Sequence, residues 1–293
     1  MEKIAIITIN FNTEDLVKRL IKCLMNQSYE NWELLIVNNS KDDFKIKYVL
    51  DSFDKKIYLL NINKNIGYSS ANNIGFKYLW DNKIISANDI VLFINEDIVV
   101  KDENFFSKAI NLMKKLNCNF LGPKIINNDK TLMLPHKKRS NYFKCLFHIG
   151  NNGLIDKIFQ VNRSLKRLLN PVKVFLINGA CFFTLAGSFN DVGLFDPNTF
   201  VYYAEELLFL KVKTLNMDVY YVPEIEVFHD HSGTFRKNFN LLLKKKLVFD
   251  AEIYFLENIL NINKIGLAFF KFERLLEMFF YKLIKKANCI RTT

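Results

Sequence analysis

The sequence is poor in cysteine, and its cysteines are not arranged in pairs. Five cysteines are scattered through 293 residues, and they form no Cys-x-x-Cys motif. Wide scatter without a Cys-x-x-Cys pair argues against both a disulfide framework and a cysteine zinc site. We therefore expect a protein of a reducing compartment, the cytoplasm.

Long apolar runs are also absent. The longest stretch without a formal charge, 174–190, has 17 residues that include glycine, asparagine, serine and threonine. A membrane-spanning helix needs about 20 mainly apolar residues. Near the start, the apolar run Ile4–Ile9 is too short for a signal peptide, and the acidic Glu2 does not suit one. The sequence thus predicts neither a transmembrane helix nor a secretory leader.

Positive charge dominates overall but is concentrated in two segments. The net charge is +11, with ten Lys and Arg against one acid in 130–173 and twelve against five in 235–293, so the remainder is net negative. A basic insert and a basic tail indicate an anionic partner. Lipid headgroups, nucleic acid and a phosphorylated acceptor all have this chemistry, and charge alone does not choose between them.

Half of the residues are hydrophobic, enough for one large α/β domain with an appendage. Continuously apolar segments alternate with segments of helical spacing, which is typical of a doubly wound sheet that binds ligands at the carboxyl ends of its strands. The predicted strands are Ile4–Ile9, Trp32–Val37, Ile57–Leu60, Ile90–Ile94, Val174–Ile177, Val219–Val222 and Ile225–Phe228. The predicted helices are one through Leu16, Leu20 and Leu24, then Phe44–Phe53, Ser70–Trp80, Phe105–Leu116 and Glu205–Leu215.

Two regions do not follow this alternation. Residues 127–171 are polar, basic and irregular, as in an inserted loop region. Beyond Thr234, Leu and Phe recur at helical spacing, with a predicted break near Gly266. We expect a main domain over 1–234, with a basic insert at about 127–173, and a basic amphipathic helical region over 235–293.

Small polar residues follow the predicted strands at the edge where a ligand would bind. Those after the first two strands are Asn10, Asn12, Asn38 and Asn39, and those around the start of the next helix are Asn65, Gly67 and Asn73. Amides at adjacent strand ends could hydrogen-bond a nucleobase and ribose. They could equally form turns and caps, which asparagine and glycine favour, so both interpretations stay open.

The sharpest signal is an acidic segment at the end of a buried strand. Ile90–Ile94 runs directly into Asn95, Glu96 and Asp97. Two carboxylates at the mouth of a buried strand are electrostatically costly without a cation. Mg²⁺ or Mn²⁺ bridging a diphosphate would suit these hard oxygen ligands, and an ordinary turn with a helix cap is the alternative.

Three further features lie in the second half of the chain: Gly179 in an Asn-Gly-Ala turn, Glu205 and Glu206 at a helix start, and His229 at a strand end. Acids in a first helical turn suit the helix dipole, but one that faces a bound sugar could take a proton from an acceptor hydroxyl. A lone histidine at a strand end is usually structural. His229 and His231 would share a face of an extended segment, which favours a metal site somewhat.

Taken in order, these motifs resemble glycosyltransferase family 2, in particular its rhamnosyltransferase-like branch. The matching motifs are Asn-Phe-Asn, Val-Asn-Asn-Ser, Asn-x-Gly-Tyr with Asn-x-Gly, Asn-Glu-Asp, Asn-Gly-Ala, Gly-x-Phe-Asp with Glu-Glu, and Pro followed by His, over about residues 3–234. The resemblance implies the GT-A fold, a Rossmann-like sheet with helices on both faces, here with a helical C-terminal appendage. It also implies a nucleotide-diphosphate-sugar donor, Mn²⁺ or Mg²⁺, and inversion at the anomeric carbon.

The resemblance assigns roles to individual residues. Asp97 matches the metal-binding last acid of the family's DXD-type motif, and His229 matches the histidine that closes the site near the diphosphate and the metal. Glu206, preceded by Glu205, matches the catalytic base, which is usually an Asp. Two positions depart from the pattern: Asn38 stands where an Asp often contacts the base, and Leu208 stands where a further acid is common. The residues expected to bind the donor are Asn10, Asn12, Asn38, Asn39, Asn65, Gly67, Asn73, Asn95, Glu96 and Gly179.

The resulting expectation is a transferase that passes a hexosyl or deoxyhexosyl group from a UDP- or dTDP-sugar to a glycan or lipid-linked acceptor of bacterial surface polysaccharide, such as O-antigen or capsule. It would work in the cytoplasm, peripherally at an anionic inner membrane face, unless the tail packs on the domain or forms a homodimer. A noncatalytic scaffold remains an alternative. A sugar-1-phosphate nucleotidyltransferase is a further alternative, disfavoured because no glycine-rich, Arg- and Lys-bearing loop follows the first strand. Nucleic acid is not an expected partner, since the basic regions contain no recognisable reading motif.

Overall fold

Ten β-strands form one mixed sheet in the computed structural model, which describes residues 2–42, 56–136, 138, 140–146, 168–230 and 241–290. The strands are β1 (Ile4–Asn10), β2 (Trp32–Asn38), β3 (Ile57–Asn61), β4 (Ile90–Ile94), β5 (Ile98–Val99), β6 (Phe120–Asn127), β7 (Leu132–Met133), β8 (Val172–Lys173), β9 (Cys181–Leu185) and β10 (Val219–His229). The helices described are α1 (Glu14–Met25), α2 (Tyr68–Asp81), α3 (Phe105–Leu116), α4 (Tyr142–Leu146), α5 (Ala186–Asp191), α6 (Ala204–Thr214), α7 (Leu241–Asn258) and α8 (Lys264–Ile290).

The strand order is β3-β2-β1-β4-β9-β6-β10-β5, with β7 beside β6 and β8 beside β10. The first four of these strands are mutually parallel, whereas β9 runs antiparallel to both β4 and β6. Because β1, β2, β3 and β4 point the same way, their carboxyl ends meet at one edge of the sheet. The predicted α/β sheet is confirmed, and its first four strands lie where the sequence placed them.

Alternate residues of each central strand pack against opposite helical layers. Ile4 and Ile6 join the core under α1 and α3, whereas Ala5 and Ile7 join the core under α2, α5 and α6. Since both faces are covered, these strands are apolar at nearly every position rather than alternating. This explains the continuous apolar runs in the sequence.

Several predicted elements need correction. Val174–Ile177 is not a strand: β8 ends at Lys173, and Leu176 makes only an isolated bridge to His136. The strands β6 and β9 were not predicted. For β9 the reason is that it is buried on both faces and lies inside an uncharged stretch without a period. The predicted helix Phe44–Phe53 and much of the basic insert lie outside the described residues.

The predicted break between two C-terminal helices is present, but its position near Gly266 needs a small correction. The interruption falls earlier, between the end of α7 at Asn258 and the start of α8 at Lys264. The side-chain Oδ1 of Asn263 accepts a hydrogen bond from the Gly266 N–H at 2.8 Å, so Asn263 caps α8. Gly266 therefore lies within the first turn of the helix.

Contacts divide the chain into two compact units: Met1–Arg139 with Asn162–Asn238, and Ser140–Val161 with Phe239–Thr293. The first contains the whole sheet. In the second, the buried Arg274 guanidinium pairs with Glu252, 3.0 Å from its Oε2, and donates to the Cys145 carbonyl at 2.6 Å. None of the helices in the described ranges meets the length and hydrophobicity that a transmembrane span requires.

Candidate active site

The polar segments that follow β1, β2 and β4 meet at one edge of the sheet. The β1–β2 register places Asn10 opposite Asn38, and the β4–β9 register places Ile94 opposite Cys181. As a result the segment after β4 lies beside the Asn-Gly-Ala turn before β9, and the Asn95 N–H donates to the Ala180 carbonyl at 2.8 Å. The structure thus brings together motifs that are far apart in the chain.

Asp97 and His229 form the most distinctive pair at this edge. Ile98 of β5 pairs with His229 of β10 in antiparallel register, which sets Asp97 next to the histidine. The Nε2 atom of His229 lies 3.0 Å from Oδ1 of Asp97, and both side chains are nearly buried. The Nδ1 atom on the other side of the ring lies 3.2 Å from the sulfur of Met133. The ring and the carboxylate therefore approach each other directly.

The Asp97 carboxylate fits a cation site. Its Oδ1 is buried and, apart from the contact with the His229 ring nitrogen at 3.0 Å, has no hydrogen-bond partner among the described residues. A buried carboxylate oxygen with no further donor is costly. Two ligand atoms about 2.1 Å from one ion and at right angles to each other lie about 3 Å apart, close to the observed separation. A divalent cation would satisfy both atoms.

No cluster of three or more His, Cys, Asp or Glu side chains that could hold a metal ion occurs in the part of the chain that the structure describes. His231 lies outside that part. Mg²⁺ and Mn²⁺ sites are often built from one or two protein ligands completed by phosphate oxygens and water. The pair therefore suits an ion that is shared with a bound diphosphate.

Glu96 has a different environment from Asp97. Its Oε1 accepts a hydrogen bond from the Thr13 hydroxyl at 3.1 Å, which ties it to the start of α1. Thr13 is itself held by Asn10, whose Oδ1 accepts from the Thr13 N–H at 3.1 Å. Neighbouring acids of the same segment therefore serve different partners, and Asp97 is the one that faces the histidine.

Buried amides join the strand ends into a ladder. The Asn10 amide donates to Asn38 Oδ1 at 2.9 Å, and the Asn38 amide donates to Asn61 Oδ1 at 2.9 Å. Asn10 and Asn38 have no solvent exposure at all. As placed, these two side chains brace the edge from within. Asn12, in contrast, is exposed at the same edge, with a positive φ of 58°.

A second set of amides shapes the segment before α2. Asn39 donates to Asn65 Oδ1 at 3.1 Å and accepts from the Ile66 N–H at 2.9 Å. Gly67 has a φ of +85°, and a Cβ there would lie 2.5 Å from the Phe200 carbonyl oxygen. Asn73 exchanges two hydrogen bonds of 3.0 Å with the backbone of Phe195. These residues fix the backbone around the site.

Glu205 packs directly on the Asn-Gly-Ala turn. Its Oε1 accepts a hydrogen bond from the Gly179 N–H at 3.1 Å, and the Tyr68 hydroxyl donates to the Gly179 carbonyl at 2.7 Å. Burial raises the pKa of Glu205, although backbone hydrogen bonds from Glu205 and Gly179 act against this shift. Burial and then the charge of Glu205 raise the pKa of Tyr68 well above its ordinary value.

Glu206, the other member of the pair, is also buried in the first turn of α6, where negative charge is stabilised by the helix dipole. Tyr203 precedes the helix with a φ of 64°, so the backbone turns sharply just before the two acids. Leu208, two residues later, is fully buried in the apolar core against the sheet. An acid at residue 208 would be costly there.

Sequence reasoning missed Arg19 and Asp230. Arg19, on α1, forms an ion pair with Asp230, which directly follows His229. Asn128 donates to the Asp230 carbonyl at 2.6 Å. No local pattern reveals these contacts, because they join residues from three separate parts of the chain.

Comparison with known proteins agrees with this geometry. Residues 5–189 match the family model of Glycosyl transferase family 2. The chain is 24% identical over 223 residues to the dTDP-rhamnosyl transferase RfbF of Shigella flexneri, covering 76% of this chain and 67% of the relative. It is 22% identical over 271 residues to the rhamnosyltransferase WbbL of Escherichia coli (strain K12), covering 90% of this chain and 98% of the relative.

The fold is similar to that of solved GT-A glycosyltransferases. The crystal structure of GalNAc-T7 with UDP, GalNAc and Mn²⁺ matches with a TM-score of 0.59 at 14% identity, covering 86% of this chain and 48% of that chain. The mannosyltransferase PcManGT of Pyrobaculum calidifontis, in complex with GDP-Man and Mn²⁺, matches with a TM-score of 0.57 at 11% identity, covering 89% and 65%. The present chain spans less than two thirds of either one. The predicted GT-A fold is confirmed.

Proposed function

Because this chain belongs to glycosyltransferase family 2, we propose that it is an inverting enzyme that transfers a hexosyl or deoxyhexosyl group from a nucleotide-diphosphate-sugar to an acceptor hydroxyl. The observation that carries the proposal is the Asp97–His229 pair, in which the buried Oδ1 of Asp97 has no hydrogen-bond partner among the described residues apart from the His229 ring nitrogen. At the same sheet edge, the Gly179–Glu205 hydrogen bond holds Glu205, and with it the adjacent Glu206, beside the Asn-Gly-Ala turn. Relatives that are named as rhamnosyltransferases support a deoxyhexose.

Asp97 and His229 would hold a Mn²⁺ or Mg²⁺ ion through Oδ1 and Nε2. Bound there, the ion supplies Lewis-acid stabilisation of the charge that develops on the leaving diphosphate. The solved relatives GalNAc-T7 and PcManGT were crystallised with Mn²⁺, which supports this cofactor. The segment between β4 and β5 positions the Asp97 carboxylate. The pairing of β5 with β10 positions His229.

Glu206 is the proposed general base. It takes the proton of the acceptor hydroxyl while that oxygen forms its bond to the anomeric carbon and the bond from this carbon to the diphosphate oxygen breaks. The configuration inverts in this single displacement, and no covalent enzyme intermediate forms. Glu205, whose Oε1 is engaged by the Gly179 N–H, holds the Asn-Gly-Ala turn against α6, so we assign it a supporting part in the catalytic pair.

The donor would lie along the edge formed by the strand ends. Asn12, Asn65, Asn95 and Gly179 are proposed to line its path, whereas Asn10, Asn38, Asn39, Gly67, Asn73 and Glu96 shape that path through the hydrogen bonds described above. The nucleotide is UDP or dTDP: RfbF is named as a dTDP-rhamnosyl transferase, and GalNAc-T7 was solved with UDP. The amide of Asn38 suits neither base by direct contact, since it is buried.

The proposed acceptor is a glycan or lipid-linked intermediate of bacterial surface polysaccharide, such as O-antigen or capsule. A lipid-linked acceptor is reached at a membrane, and we propose cytoplasmic, peripheral attachment to the inner membrane face. The second compact unit has a surface that supports this. Four apolar side chains of α8, Ile265, Phe269, Phe272 and Leu276, are between 40% and 82% exposed and recur at helical spacing on one face.

Charge on α8 favours an anionic lipid surface as the occupant of this stripe. Two acidic side chains of α8 are described, Glu273 and Glu277. Glu273 forms an ion pair with Arg274, and Glu277 forms one with Lys245. Lys264 and Lys271, seven residues apart, lie on a common face of α8, roughly a quarter turn around the helix from the stripe. Apolar side chains beside cations are the composition of helices that lie in a membrane interface.

The experiment that tests the transferase proposal is incubation of the purified protein with a panel of UDP- and dTDP-sugars, Mn²⁺ and a lipid-diphosphate acceptor, with products identified by mass spectrometry. Mass addition of one sugar to the acceptor supports the proposal. If the protein binds a donor but neither transfers nor hydrolyses a single sugar of the panel, it is instead a noncatalytic scaffold. The configuration of the new bond, from NMR coupling constants, tests inversion.

A further inference from the structure

The segments that carry Asp97 and His229 share a set of contacts outside the ion site itself. Asp97 lies between β4 and β5, and His229 is the last residue of β10. The Asp230 N–H donates to the Asp97 carbonyl at 3.0 Å, which extends the β5–β10 pairing by one step. This pairing is short, because β5 has only two residues. The relative position of the two ligands therefore depends on a small number of hydrogen bonds.

Arg19 bridges the same two segments from α1. Its guanidinium forms an ion pair with the Asp230 carboxylate through Nη1, and its Nη2 donates to the Asp97 carbonyl oxygen at 3.5 Å. The Asp230 side chain is held from its other side by Asn128, whose amide lies 2.5 Å from Oδ1. The planar guanidinium presents donors in a fixed fork, so one side chain fixes two acceptors at once.

From this arrangement we propose that Arg19 is a positioning residue for the cation site, which it serves without touching the ion. It holds Asp230 against the Asp97 carbonyl and so keeps the Asp97 carboxylate and the His229 ring at their observed separation of 3.0 Å. The inference rests on the proposed cation-dependent function. Residues that orient metal ligands without binding the metal themselves typically contribute 10- to 100-fold to metal affinity.

The chain offers variants that separate this role from a general effect of charge. Arg19→Ala removes both contacts, and Arg19→Lys keeps the charge but loses the fork. Lys22→Ala is the matched control, because Lys22 is an exposed cation on the same helix. Asp97→Asn, which removes the proposed ion ligand, reports whether the cation site exists.

The measurement is Mn²⁺ affinity of the full chain, from the loss of the free Mn²⁺ electron paramagnetic resonance signal, with Mn²⁺ alone and with UDP or dTDP added. We expect Arg19→Ala to raise the apparent Kd for Mn²⁺ at least tenfold, Arg19→Lys to raise it less, and Lys22→Ala to leave it unchanged. Where transfer is measurable, saturating Mn²⁺ should restore the rate of Arg19→Ala. A variant that is merely misfolded would not be restored.

The outcomes separate the two proposals. If Asp97→Asn weakens Mn²⁺ binding while both Arg19 variants bind as the unmodified protein does, the positioning role is wrong and the cation site stands. If Asp97→Asn leaves Mn²⁺ affinity unchanged, the cation site itself is wrong, and the role of Arg19 is overturned with it. Should Arg19→Ala fail to fold, Arg19→Lys decides the question by the same measurement.

Discussion

The N–H of Gly179 donates to Oε1 of Glu205 at 3.1 Å, and a Cβ built on Gly179 would lie only 2.3 Å from that same oxygen. A side chain at residue 179 would therefore displace the buried Glu205 side chain. We expect Gly179→Ala to destabilise the protein by about 1–3 kcal/mol, as overpacked sites do, and to lower transfer strongly. Chemical denaturation and transfer assays measure the two effects. Gly193→Ala is the control, since a Cβ there meets nothing within 4 Å, although its φ of +73° carries a backbone cost of its own.

The two glutamates of α6 should respond differently to substitution. Glu206→Gln removes the proposed base while preserving shape, so transfer should fall by about 10²–10⁴-fold with little change in donor affinity. Glu205→Gln can still accept the hydrogen bond from Gly179, and we expect a smaller loss. Steady-state kinetics and calorimetric donor titration test this. An active Glu206→Gln together with a silent Glu205→Gln would show that Glu205 is the base.

Removal of the cation should abolish transfer. EDTA is expected to silence the enzyme, and Mn²⁺ or Mg²⁺ to restore it, because Asp97 and His229, 3.0 Å apart, are the proposed ligands of an ion shared with the diphosphate. Asp97→Asn should weaken donor binding in the presence of Mn²⁺, whereas Glu103→Gln, an exposed acid nearby in the sequence, should not. His229→Ala should have a milder effect of the same kind. Full activity in EDTA would contradict the metal role.

Stability should depend on pH through Glu205. Burial raises its pKa above the ordinary value of 4.5, so the folded state binds this proton more tightly than the unfolded state. The folded state is therefore favoured most below the ordinary pKa and loses that advantage as pH rises from about 4.5 through the raised value. Thermal unfolding of the unmodified protein and of Glu205→Gln, from pH 4 to 8, measures this loss of stability. The Tm of the variant should rise relative to that of the unmodified protein as pH rises. A Tm difference that stays constant with pH would contradict the raised pKa.

The sequence predicted which residues lie at the ligand-binding edge of the sheet. It did not predict the hydrogen bonds that those residues make there. Ile4–Ile9 and Ile90–Ile94 are apolar throughout because both faces are covered, and their polar ends therefore stand out. Asn10 and Asn38 were expected to bind the donor. The structure places them side by side in the parallel register. The Asn10 amide donates to Asn38, and the Asn38 amide donates to Asn61, contacts that no local pattern reveals.

The approach of His229 to Asp97 was similarly beyond local patterns. It depends on the antiparallel pairing of the two-residue strand β5 with the end of β10, which joins distant parts of the chain. The family resemblance assigned both residues to the metal, but it gave no reason for their contact. Arg19 carried no signal at all, since a basic residue on an amphipathic helix is ordinarily solvated.

The exposed stripe of α8 predicts reversible, salt-sensitive binding to anionic membranes. Phe269 and Phe272 lie at its centre and are more than half exposed, so replacing both with Ser should remove apolar contact with acyl chains without disturbing a core. Each lysine near an anionic surface contributes roughly 1 kcal/mol, so Lys264→Gln with Lys271→Gln should weaken binding mainly at low salt. Co-sedimentation with vesicles of neutral or mixed anionic lipid, at low and high salt, measures both effects.

Leu215→Ser is the control for the aromatic pair, because Leu215 is 47% exposed at the end of α6, within the other compact unit. It should leave vesicle binding unchanged. The other candidate occupant of the stripe is a second copy of the chain. Analytical ultracentrifugation tests whether such a dimer forms. If the protein ignores anionic vesicles at low salt and is a dimer that Phe269→Ser with Phe272→Ser converts to a monomer, the stripe is a dimer interface and the membrane proposal is wrong.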